Sequence, residues 1–67
     1  MESEKMFYKK LIENYRLLIQ MCLSEIRTSN DPYWWEEKKI ICDMKIMEAE
    51  RMINIMDYKE TYNQIKI

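Results

Sequence analysis

The sequence predicts an all-α protein built from a two-helix antiparallel hairpin. Its 67 residues include no glycine and a single proline, Pro32. Without glycine the chain lacks the usual residue for tight turns with positive φ, which disfavours hairpin-rich β structure. Apolar residues recur at spacings of three and four on both sides of Pro32, which is the period of an α-helix. We therefore predict one domain over residues 1–67, with one helix on each side of a short turn.

The first helix is predicted from about residue 4 to about residue 27. Ser3 suits the N-cap position and Glu4 suits the positive end of the helix dipole. The apolar stripe is formed by Tyr8, Leu11, Tyr15, Leu18 and Cys22. The opposite face is formed by Lys9, Glu13, Arg16, Gln20, Ser24 and Arg27. This pattern is typical of an amphipathic helix that packs one face against a core.

The turn is predicted at residues 28–31. A residue that precedes proline is disfavoured in the α region, and proline itself fits the first position of a helix. Asp31 is therefore the expected N-cap of a second helix that starts at Pro32. A connection of about four residues makes the two helices antiparallel neighbours.

The second helix, predicted from about residue 32 to about residue 65, has apolar residues around most of its circumference. The central stripe is formed by Trp34, Ile41, Met52 and Ile55. One flank is formed by Tyr33, Ile40, Met44, Met47, Tyr58, Tyr62 and Ile65, and the other by Trp35, Cys42, Ile46, Ala49, Ile53 and Met56. Together the stripes cover roughly 240°, whereas facing one core requires only about 100°.

One neighbouring helix cannot cover so much apolar surface. We therefore predict that two copies pair into a homodimeric four-helix bundle. The central stripe, with Trp34 and Ile41, is expected in the core, as are Met44 and Met52. Helix 2 is the longer helix, so its C-terminal residues are expected to extend beyond helix 1; they include Tyr58, Tyr62, Ile65 and Ile67.

The composition excludes several classes of function. Eleven basic and twelve acidic residues give a net charge of −1, so no bulk preference for nucleic acid or acidic lipid is expected. No apolar run is longer than three residues, the length of residues 17–19, which is far below the roughly 18 residues of a membrane span. No secretory signal is recognisable at the start. We therefore predict a cytoplasmic protein without a membrane partner, whose Cys22 and Cys42 are reduced core thiols.

Enzymatic chemistry has no basis in the sequence. The absence of histidine and glycine excludes Ser-His and Cys-His nucleophile pairs, HExxH zinc sites and glycine-rich phosphate loops. Two helices also enclose no pocket in which a pair of carboxylates could act on a substrate. We predict no catalytic residue, no cofactor and no metal site.

The residues expected to bind another protein lie mostly on the two flanks of helix 2, because aromatic and methionine side chains are favoured at adaptable interfaces. They are Tyr33, Trp35, Ile46, Met47, Ile53, Met56, Tyr58, Tyr62 and Ile65. A further candidate is the acidic ridge, which repeats every seven residues and consists of Glu36, Asp43, Glu50 and Asp57. It is either a solvated surface or a binding site for a basic partner, and no basic residue of helix 2 accompanies its last two members.

Three functions follow from these features. The first is a small regulator that binds a larger protein through the flanks of helix 2, as an inhibitor or adaptor. The second is a nucleic-acid-binding hairpin dimer that uses the basic face of helix 1, where Lys9, Arg16 and Arg27 lie. The third is a structural subunit of a larger assembly.

Overall fold

The computed structural model describes residues 2–65, apart from the side chains of the first and last of them. Helix α1 spans Glu2–Thr28 and helix α2 spans Pro32–Ile65. The two helices pack side by side in opposite directions and give a rod of 59 × 16 × 11 Å. Within the described range there is no strand. The predicted all-α hairpin is confirmed, while Ile67 lies outside the described residues.

The start of α1 differs from the prediction. Ser3, expected as the N-cap, lies inside the helix, which already begins at Glu2. Lys5 holds this first turn against α2 through ion pairs with Asp57 and, at 3.4 Å, with Glu60. The first turn of α1 therefore lies level with Asp57 and Glu60, so the prediction that α2 already extends beyond helix 1 at Tyr58 is wrong.

The turn is closed by three hydrogen bonds. The Ser29 amide donates to the Glu25 carbonyl oxygen at 2.7 Å and ends α1. The Asp31 amide then donates to Ser29 Oγ at 3.1 Å. Asp31 Oδ1 accepts from the Trp34 amide at 3.4 Å, as an N-cap carboxylate does at the third helical position. The predicted capping role of Asp31 is confirmed.

The core of the hairpin is one narrow seam between the helices. Its buried side chains are Ile12, Cys22, Cys42, Ile46 and Ala49. Ala49, the only alanine, is 2 % exposed, and its small side chain lets the rings of Tyr8 and Tyr15 pack against the buried cluster. Both thiols are buried and no bond joins them, so the prediction that Cys22 and Cys42 lie in the core is confirmed.

The central stripe of α2 does not form this core. Trp34 is 46 % exposed and Ile41 is 45 % exposed, and Met44 is also exposed. The prediction that these residues lie in the core is therefore wrong for the single hairpin. The turn sets α2 at a rotation in which the flank with Cys42 and Ile46 meets α1, and this leaves the central stripe about 90° away around the helix.

Candidate protein-binding surfaces

Both helices contribute exposed or half-buried apolar side chains to one side of the hairpin. We call this surface the hairpin face; its residues are Leu11, Leu18, Met21, Trp34, Ile41 and Met52. Near the turn, Leu18, Met21, Trp34 and Ile41 line one groove. Further along, Leu11 and Met52 line a second groove on the same side, with Lys45 and Glu48 at its edge. The hairpin face is therefore a two-helix apolar layer without a covering element in the described chain.

Two tryptophans shape the end of the hairpin face beside the turn. The rings of Trp34 and Trp35 meet edge to face, with centroids 4.6 Å apart. Lys38 Nζ lies 5.0 Å from the centroid of Trp34, within the range of a cation–π contact. These contacts fix the position of the Trp34 ring in the lining of the groove.

A second apolar surface lies on the side of α2 that faces away from α1. We call it the outer stripe; its residues are Tyr33, Ile40, Met44, Met47, Tyr58 and Tyr62. Tyr33 is 77 % exposed and Met47 is 66 % exposed, so these side chains contact little of the hairpin. Tyr58 and Tyr62 stack on each other with centroids 6.4 Å apart. The outer stripe points away from the core along most of the length of α2.

The structure divides the residues predicted to bind a protein into two groups. Tyr33, Met47, Tyr58 and Tyr62 lie on the outer stripe. Ile46 is buried in the seam, and Trp35, Ile53 and Met56 are half-buried beside it. These four do not form a free surface of the folded hairpin, because the turn directs their flank towards α1. Ile65 ends α2, and its side chain lies outside the described part.

The sequence patterns did not single out Leu18, Met21, Ile40 and Met44 as binding residues. Ile40 and Met44 share the stripe of the predicted residues, so their helical phase was the available signal. Leu18 and Met21 become a surface only through the rotation of α1. The lone alanine of α2, Ala49, was an available signal only for the side of α2 that approaches α1.

The acidic ridge is only partly neutralised. Lys5 reaches across from α1 to Asp57, so the expectation that no basic residue accompanies Asp57 holds within α2 but not in the hairpin. Lys39 pairs with Asp43 at 3.0 Å. Glu36 and Glu50 are exposed, and neither makes an ion pair within residues 2–65. Two carboxylates of the ridge are thus available to a partner.

The hydrogen bond to Asp57 is the main cause that raises the pKa of Lys5, and the nearby charges of Asp57 and Glu60 add to it, whereas desolvation opposes the shift. The ammonium group is therefore fully charged at neutral pH. Burial is the main cause that raises the pKa of the Cys42 thiol, followed by the proximity of Cys22 and of Asp43. A thiol held neutral in this way is a poor nucleophile and a poor metal ligand.

The basic face of α1 stays exposed. Lys9, Arg16 and Arg27 all face solvent. Lys9, however, lines the same surface depression as Lys5 and Glu60, where carboxylates offset the positive charge. A phosphate backbone favours an uninterrupted basic surface. Nucleic-acid binding through this face remains a prediction.

Within the described residues, no three His, Cys, Asp or Glu side chains converge on a point that could hold a metal ion. Neither described helix combines the length and the apolar content that a membrane crossing requires. Comparisons with protein-family models, with curated proteins and with solved structures found no match for this chain.

Proposed function

We propose that this chain is a protein-binding regulator, an inhibitor or adaptor, that works as a homodimeric four-helix bundle. A second copy covers the hairpin face, and the outer stripe of α2 binds a larger protein. The observation that carries this proposal is the presence of two separate exposed apolar surfaces on one small hairpin. A single partner surface can cover only one of them.

The exposed area supports association. The chain exposes 5865 Å², with a mass of 8.4 kDa. A compact monomer of that mass exposes only about 4,600 Å². The excess, about 1,200 Å², is larger than the roughly 800 Å² that each partner buries in a standard interface. The hairpin therefore has enough surplus surface for one interface of standard size and part of another.

The hairpin face is suited to a second copy. It is a layer of two helices with apolar side chains from both, and small domains gain a core when two such layers pack face to face. A two-fold axis through the face would bring Leu18, Met21 and Ile41 of each copy onto the other copy. Such an arrangement closes on itself, so it gives a four-helix dimer rather than a filament.

The outer stripe is left for a different protein. It lies on the side of α2 opposite α1 and remains outside a dimer built through the hairpin face. Its middle part, Ile40, Met44 and Met47, is contiguous, and contiguous exposed apolar patches often mark interaction sites. Methionine and tyrosine, which form most of this stripe, combine adaptability with large contact area.

The dimer is tested by sedimentation velocity at tens of micromolar protein. Leu18→Lys with Ile41→Lys places charges on the hairpin face, and Met44→Lys with Met47→Lys places the same number on the outer stripe. We expect the parent chain and the outer-stripe variant to be dimers and the hairpin-face variant to be a monomer. A monomeric parent chain would contradict the four-helix bundle.

The partner is tested by capture from cell lysate on the tagged parent chain and on the outer-stripe variant, each with and without nuclease. We expect the parent chain to retain a protein that the variant loses, since the variant keeps its dimer but presents charge in place of methionine. Equal capture by both proteins would contradict a role for the outer stripe. Capture that disappears with nuclease would instead favour the nucleic-acid alternative.

A further inference from the structure

The outer stripe and the acidic ridge together form the pattern of a coiled-coil helix. Successive steps of four and three residues along the outer side of α2 pass through Tyr33, Glu37, Ile40, Met44, Met47, Arg51, Asn54 and Tyr58. These are the a and d positions of a heptad repeat, and five of the eight are apolar. In this register the ridge residues occupy every g position. The positions bordering the stripe on that side are thus uniformly acidic.

Residues at e and g positions flank a coiled-coil seam and pair with charges on the facing helix. The opposite border of the stripe, the e positions, has one acidic residue and no basic one; its residues are Trp34, Ile41, Glu48 and Ile55. Glu36 and Glu50 make no ion pair in the described part of the chain, and they bracket Ile40, Met44 and Met47. The middle part of the outer stripe is therefore apolar at its centre and acidic along one edge.

A second copy of this chain does not fit the outer stripe. In an antiparallel pair, g positions face g positions, so ridge would meet ridge and carboxylates would repel. In a parallel pair, g positions face e positions, where this chain offers no positive charge. The charge pattern therefore separates the outer stripe from the hairpin face, which has no such acidic border.

We infer that the occupant of the outer stripe is an amphipathic helix of another protein, with apolar a and d residues and Lys or Arg at the positions that border them. This inference rests on the proposed function and specifies the chemistry of its partner. The contact runs from Glu36 to Glu50, about 21 Å or two heptads of helix. The apolar residues supply contact area, and the bordering acids select basic helices over acidic ones.

The test uses two synthetic helical peptides of four heptads, with Ile at a and Leu at d. One has Lys at every e and g position, and the other has Glu there; like charges keep each peptide from pairing with itself. Fluorescence anisotropy measures binding of each labelled peptide to the full chain at low salt. We expect the Lys peptide to bind at least about tenfold more tightly than the Glu peptide, a ratio that should shrink at high salt.

Charge-reversal variants test whether the acidic ridge determines the preference between the two peptides. Glu36→Lys with Glu50→Lys should invert the preference between the two peptides. Glu4→Lys with Glu13→Lys makes the same net charge change on α1, where both residues are exposed, and should retain the preference for the Lys peptide. Equal binding of both peptides by the parent chain would overturn the inference, as would inversion of the preference by the α1 variant.

The apolar contact is checked with Met44→Lys and Met47→Lys, which should abolish binding of the Lys peptide. Retained binding would also overturn the inference, since attraction would then be electrostatic alone. Failure here is distinguishable from failure of the proposed function. If the chain dimerises and its capture of a partner depends on Met44 and Met47, but the two peptides bind equally, only the basic-helix chemistry is wrong.

Discussion

Neighbouring residues of α2 have similar side chains and very different surroundings. Ile46 is 8 % exposed in the seam with α1, whereas Ile41 is 45 % exposed on the hairpin face. Both are β-branched residues in the middle of the same helix, and both belong to apolar stripes. The difference arises because α1 meets one side of α2 only. The helix α2 has more apolar surface than α1 covers, and we propose that it divides this surface between folding and association.

The largest expected effect is on the folding side of this division. Ile46→Ala should destabilise the hairpin by about 2–4 kcal/mol, because it leaves a cavity where few other contacts exist. A domain of this size has only about 3–5 kcal/mol available. Circular dichroism at sub-micromolar protein should therefore show largely lost helicity. Substitutions at the surface change the free energy of unfolding by no more than about 0.5 kcal/mol. A change that small for Ile46→Ala would place Ile46 outside the core.

Ile41 is expected to contribute to association rather than to the folding of the single hairpin. Association stabilises a folded chain by mass action, so the melting temperature of the parent chain should rise with protein concentration. Ile41→Lys should remove that rise and leave the melt at the lowest concentration nearly unchanged. Calorimetry over a hundredfold concentration range compares the two. A parallel rise in both proteins would show that the hairpin face is not the site of association.

The sequence was sufficient for the elements of the fold but not for their rotation. The lack of glycine and the Asp31-Pro32 pair determine two helices and a capped turn, and the structure has both. Which stripe of α2 meets α1 depends on the conformation of a three-residue connection and on the packing around Ala49. Neither is visible in apolar periodicity, because all three stripes have the same spacing. Ile41 and Ile46 were therefore assigned to the wrong sides.

The candidate binding surfaces were likewise predictable only where they do not depend on how α1 packs against α2. Tyr33, Met47 and Tyr58 are exposed, as a binding surface requires, while their contact with a partner stays a prediction. Ile46 and Ile53 were misplaced because their exposure depends on a second helix. The ion pair between Lys5 and Asp57 joins residues far apart in the chain, so no pattern within α2 could reveal it.

A smaller effect should come from Cys42 at alkaline pH. Burial raises the pKa of its thiol above the ordinary value of 9.0, so the folded chain retains a proton that the unfolded chain releases. The contribution of this thiol to the free energy of unfolding is fully present below pH 9.0. It is lost as the pH rises through the raised pKa of the folded chain. Denaturant titrations should show a steeper alkaline loss for the parent chain than for Cys42→Ala. Identical pH dependence would mean that the thiol is solvated in the folded chain.

The smallest expected effect belongs to the charged side of the hairpin. Lys5 is half-buried and pairs with the exposed carboxylate of Asp57, and an ion pair that is open to solvent contributes little and is screened by salt. Lys5→Gln should lower the melting temperature slightly at low salt and not at about 1 M salt, where the screening length is about 3 Å. The raised pKa of Lys5 means that this contribution is complete at neutral pH and below 10.5, and is lost as the pH rises through the raised value.

Lys9→Gln is the matched control for this pair, since it removes the same charge from the same helix and Lys9 makes no ion pair within residues 2–65. Its melting temperature should follow that of the parent chain at both salt concentrations. An effect of Lys5→Gln that persists at high salt would mean that the side chain acts by packing its methylene groups against α2 rather than by charge. The ion pair would then be incidental, and the first turn of α1 would be held by apolar contact, as the rest of the seam is.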